Sequence, residues 1–77
     1  MTRVIRNRSG FYFKQGGEWT EHFPEAEKFG SFAAAATAQA KFQLQEVDLV
    51  LVINGQPSAE WDVVLPLSRA GRSGALR

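Results

Sequence analysis

His22 is the only histidine of the chain, and cysteine is absent. His22 follows Glu21 and stands three residues before Glu25. An imidazole beside carboxylates suits general acid–base work or weak metal binding. A stable transition-metal site gathers three or four ligands, however, and a second nitrogen or any sulfur donor is missing. Serines stand at positions 9, 31, 58, 68 and 73. None has the flanking glycines of a nucleophile elbow, and one histidine cannot be matched to any of them. Glu18, Glu21, Glu25 and Glu27 make an acidic stretch without the alternating Asp/Asn ligands and central glycine of a calcium loop. Gly16-Gly17 leads into Glu18-Trp19, not into a lysine at a helix start, so it does not read as a phosphate cradle. The expectation is a protein that is not an enzyme, with no cofactor, no metal and no small-molecule substrate.

Charge offers a second kind of chemistry. Nine basic and eight acidic residues leave a net charge of +1, too even for a general polyanion binder. The distribution is less even. Arg3, Arg6, Arg8 and Lys14 occupy the first fourteen residues without an acid, and Arg69, Arg72 and Arg77 recur near the end. Phe11 and Tyr12 lie within the first group, where an aromatic ring beside bases could stack on a nucleobase. A nucleic-acid-binding module using these seven cations is the alternative reading.

These residues need a scaffold, and 77 residues suffice for one thin-cored domain. Thr2 to Asn7 reads as a strand, Arg8-Ser9-Gly10 as a turn, and Phe11 to Lys14 as a second strand. Gln15-Gly16-Gly17 turns again, and Glu18-Trp19-Thr20 extends or bulges that strand. Pro24 to Lys28 suits a short helix with Pro24 in its first turn. Ser31 is the natural N-cap of the main helix, Phe32 to about Gln45, rich in alanine and free of glycine and proline. Val47 to Ile53 and Ala59 to Leu65 alternate as a third and a fourth strand around the turn Asn54-Gly55-Gln56-Pro57, and Pro66 ends the last at an edge. Residues 1–67 form the domain. Residues 68–77 read as a flexible basic tail.

The predicted fold is an α+β two-layer sandwich, β-β-α-β-β, with one helix on one face of a four-stranded antiparallel sheet of order 2-1-3-4. Alternation assigns Ile5, Phe11, Phe13, Leu49, Leu51, Trp61, Val63 and Leu65 to the helix side. Phe32, Ala35, Ala38 and Phe42 make one apolar stripe of the helix, and Ala33, Ala36, Ala40 and Leu44 another. The second stripe meets Phe23 and Phe29. The other face of the sheet is expected to be open. It carries Val4, Arg6, Arg8, Tyr12 and Lys14 on one half, and Asp48, Val50, Val52, Glu60, Asp62 and Val64 on the other. Bases on one half and acids on the other are self-complementary under a two-fold axis. Val4, Arg6, Tyr12, Val50, Val52 and Val64 are therefore the expected contacts to a protein partner or to a second copy.

The run Glu18-Trp19-Thr20, Glu25-Ala26, Phe29-Gly30-Ser31 and Ala35 resembles a pattern in small prokaryotic and phage-associated ββαβ proteins of unknown function. In those proteins a hairpin ending in Trp-Thr precedes the opening of a helix, and the likeness spans roughly residues 3 to 53. It implies a compact accessory domain and transfers no functional residues. Apolar runs of five residues are far short of the about 20 that span a membrane, and Thr2-Arg3-Val4-Ile5-Arg6 does not resemble a secretory leader. The expected setting is the cytoplasm, and the expected role is binding.

Overall fold

Two turns set the first strands in place. The side-chain oxygen of Asn7 accepts the N–H groups of Ser9 and Phe11, each at 2.9 Å. Gly10 then takes a φ of +89°, which glycine reaches without a Cβ penalty. The computed structural model describes residues 2–58 and 60–67. Its strands are β1 (Thr2–Asn7), β2 (Tyr12–Lys14), β3 (Glu18–Thr20), β4 (Val47–Val52) and β5 (Val63–Leu67). A 3-10 turn, Phe23–Glu25, and the helix α1, Phe32–Lys41, lie between β3 and β4.

The sheet is antiparallel and has five strands in the order β3-β2-β1-β4-β5. This corrects the expected four-stranded sheet of order 2-1-3-4: those four strands keep their neighbours, and Glu18–Thr20 adds a fifth beside β2. Glu18–Thr20 does not extend β2: the chain reverses through Gly16 and Gly17, at φ +95° and +90°, and pairs Trp19 with Phe13. The longest pairing joins β1 to β4 across six residue pairs, from Thr2 opposite Val52 to Asn7 opposite Val47. It forms the centre of the domain.

Ser31 caps α1 as expected, its Oγ accepting the Ala34 N–H at 3.1 Å. The helix ends at Lys41, a turn earlier than the alanine run suggests. Leu44 N–H donates to the Gln39 carbonyl and Gln43 N–H to that of Ala40, with Gln43 left-handed at φ +56°. This is a Schellman closure. Gln39 is buried and reinforces it, its Nε2 donating to the Leu44 carbonyl at 2.8 Å. Glycine is the usual residue at Gln43's position, because a Cβ is unfavourable there. Gln43→Gly is expected to raise stability by about 1 kcal/mol, read as a higher urea midpoint at unchanged slope.

The helix side of the sheet holds Ile5, Phe13, Val47, Leu49 and Leu67 with Ala35, and Phe29, Ala38, Leu44 and Leu51 pack around them. Phe11, Trp61, Val63 and Leu65, expected in this layer, are exposed. Phe11 and Trp61 lie outside the strands; for Val63 and Leu65 the reason is width. Five strands at about 4.8 Å spacing span about 19 Å, whereas one helix covers only about 10 Å. The helix sits over the centre and leaves the β5 side bare.

The opposite face is not open. Val4, Tyr12, Val50 and Val52 form a second buried cluster with Ala26, and Phe23 packs against it. The segment after β3 delivers this cover. Phe23 meets Tyr12 edge to face at 5.7 Å between centroids, and Phe29 stacks on Phe13 at 6.4 Å. One segment therefore serves both faces. It is bonded to the sheet by Glu27 N–H to the Phe13 carbonyl and Phe29 N–H to the Arg3 carbonyl, both 2.9 Å. Lys28 Nζ gathers the carbonyls of Phe23, Pro24 and Ala26 and sits 4.9 Å from the Phe23 ring centre.

Candidate functional site

β5 follows a loop that closes on itself. Ser58 N–H donates to Asp62 Oδ2 at 2.9 Å, and the Ser58 carbonyl accepts from Trp61 and Asp62 N–H at 3.2 and 2.9 Å. Trp61 is thereby held in a turn and not in the strand that alternation from Ala59 predicts. The serine four residues before an aspartate is the turn signal that could have revealed this. β5 then runs through Pro66 to Leu67, so Pro66 lies within the strand and does not end it.

Strand alternation shows which main-chain groups of β5 are free. The Arg3 carbonyl and the Asn7 N–H of β1 are used on the side away from β4, by Phe29 and Phe11. Val4 and Arg6 therefore point their main-chain groups toward β4, and Val50 and Asp48 point theirs back. The β4 residues bonded to β5 are then Val47, Leu49 and Leu51, opposite Leu67, Leu65 and Val63. Val64 and Pro66 face outward, along the edge. Pro66 has no N–H, and that of Asp62 is bound to Ser58. Among the described residues of this edge, the Val64 N–H is the main-chain donor that remains.

Side chains around this edge are apolar. Trp61, Val63, Val64 and Leu65 are 57%, 43%, 45% and 38% exposed. Val63 and Leu65 lie on the helix side beyond the reach of α1, and Val64 lies on the other side. Single exposed apolar residues are ordinary; here four of five consecutive positions are exposed and apolar.

The residues expected to meet a partner divide accordingly. Val4, Tyr12, Val50 and Val52 are buried beneath Phe23 and Ala26, which corrects their assignment to an open face. Arg6 is half-buried. Val64 alone of the six is both apolar and exposed. Arg6, Pro57, Ser58, Asp62 and Val64 line a half-open cavity of about 330 Å³. It joins one guanidinium, one carboxylate and one hydroxyl without placing a nucleophile against a base.

The basic residues do not assemble into one strip. Arg3 lies on the helix side and donates from Nη1 to the Gly30 carbonyl at 3.1 Å. Arg6 is on the other side opposite Asp48, and Arg8 is in the first turn. Lys14 pairs with Glu18 across the strands and comes within 3.9 Å of Glu25. Acids thus adjoin two of the four, where a phosphate backbone would meet repulsion. Arg69, Arg72 and Arg77 lie outside the described residues, as does the expected tail. His22 is exposed; its N–H donates to Thr20 Oγ1 at 3.0 Å, and Thr20 in turn reaches Glu25 at 2.9 Å. Among the described residues no group of three His, Asp or Glu side chains could hold a metal ion, and no helix is long and apolar enough to cross a membrane.

No protein-family model matches the chain, and searches of curated proteins and of solved structures return no significant match.

Proposed function

We propose that the chain is a small non-enzymatic protein-binding domain of accessory type, whose contact surface is β5 and the turn before it. The observation that carries this reading is the run of exposed apolar side chains at Trp61, Val63, Val64 and Leu65. Apolar groups left in water at one edge gain free energy when a partner covers them, and an exposed tryptophan is a common centre of such contacts. The covered second face supports moving the surface from the middle of the sheet to its edge. The scattered bases, adjoined by acids, favour protein over nucleic acid.

Immobilised whole chain, compared with its Trp61→Glu variant in nuclease-treated host lysate, tests the reading. Trp61 stands in a turn and contributes nothing to the two cores, so the variant keeps the fold. A partner held by the parent chain should fall about tenfold or more with the variant, since loss of a central aromatic costs about 2 kcal/mol or more. Capture that is equal for both chains, or that disappears with nuclease, overturns it.

A further inference from the structure

We infer that β5 pairs with β5 of a second copy of this chain, antiparallel about a two-fold axis through Val64. The inference rests on the reading of the β5 edge as a protein-binding surface, and it names the partner. Among the described residues, the Val64 N–H and carbonyl at the edge have no partner. Two copies meeting there satisfy all four groups with two hydrogen bonds. In this register Val63 lies opposite Leu65 of the second copy on the helix side. Val64 lies opposite its own counterpart on the other side, and Asp62 lies opposite Pro66.

Val63, Val64 and Leu65, the exposed aliphatic residues of the strand, thus each meet an apolar one, which stabilises cross-strand pairs. No like charges face each other, and a net charge of +1 per chain adds little repulsion.

Neighbouring registers are poorer. A shift of one residue sets free groups against groups already bonded to β4. A two-residue shift one way sets the Pro66 ring against the Val64 carbonyl and leaves that carbonyl without a donor inside the interface. The same shift the other way places it against Asp62, whose N–H is held by Ser58. Pro66 and the Ser58–Asp62 loop therefore do two things. They stop the sheet from extending into fibres, as proline on an edge strand does. They also leave one register in which the edge closes on itself.

The contact is short, so a reversible dimer is expected, weak as interfaces well under about 1,000 Å² are. Sedimentation and amide exchange on the whole chain, from about 10 µM to about 1 mM, cover the range in which such an interface associates. The expected result is a concentration-dependent dimer in which the Val64 amide becomes protected as the dimer forms. Val64→Pro removes the edge donor without touching the β4 ladder, because the Val64 N–H points outward. It should leave a monomer whose Val4 and Val50 amides, paired across β1 and β4, stay protected, which shows that the fold persists. Val63→Lys keeps the backbone and should weaken the dimer about tenfold, the effect of losing two symmetric apolar pairs.

A chain that stays monomeric at about 1 mM, with the Val64 amide exchanging freely, overturns the inference. So does a dimer indifferent to Val64→Pro. Either result leaves the broader reading to be judged by the Trp61→Glu capture, which does not depend on self-association.

Discussion

Phe13→Ala is expected to remove a large share of the chain's stability. Phe13 is 2% exposed and the largest fully buried side chain. Its ring centre lies 5.1 Å from that of Phe42, 5.8 Å from Trp19 and 6.4 Å from Phe29. It therefore joins the helix C-terminus, the β3 edge and the crossing segment. Removing a core phenylalanine costs about 3–5 kcal/mol, the lost burial and the remaining void together. A domain of this length has in all about 4–12 kcal/mol. The loss takes from about a quarter to the whole of that range. Urea unfolding followed by far-ultraviolet circular dichroism checks it, with Trp19 emission as a local reporter. A loss below about 1 kcal/mol would show that the three neighbours do not depend on this ring. Gly17 backs the same cluster: a Cβ placed there would stand 3.2 Å from Phe42 Cε1, on a backbone at φ +90°.

Val50→Asp is expected to cost about 3 kcal/mol or more, because it buries a carboxylate without a partner. The size of the loss tests the second core. On an open face the same change would fall within about 0.5 kcal/mol, as surface substitutions do. Val50 is buried among Val4, Tyr12, Val52 and Ala26, and Phe23 packs against the cluster. Val64→Thr is the internal control. It lies beside Val50 on the same face at the bare edge, and thermal unfolding should place it within about 1 kcal/mol of the parent. Equal losses for the two variants would contradict the cover provided by residues 21–28.

The elements best read from the sequence are those written in local chemistry. Ser31 before the alanine run marks a helix start, and Gly10 and Asn7 mark a hairpin. Alternation through Val47 to Val52 separates two faces wherever the strand lies. The α+β class follows from their order. Elements misread are those whose ends depend on a distant partner. The helix stops at Lys41 because buried Gln39 turns inward to hold the Leu44 carbonyl, although residues 42–45 lack a glycine or proline stop. Glu18–Thr20 becomes a separate strand because Trp19 finds Phe13.

The apolar edge shows the same division. Which residues share a face of a strand was determined by sequence alone, since side chains alternate with period two in any sheet. Which face meets water was not. Val4, Tyr12, Val50 and Val52 share one face, as alternation predicts, and the group is a core because Phe23 and Ala26, from a stretch without strand periodicity, fold over it. Val63 and Leu65 share the helix side as expected, and they are bare because α1 lies over the centre of the sheet and does not reach the β5 edge. Local pattern reports orientation about the chain's own axis. Coverage is a property of the whole assembly of elements, and tertiary structure alone decided it.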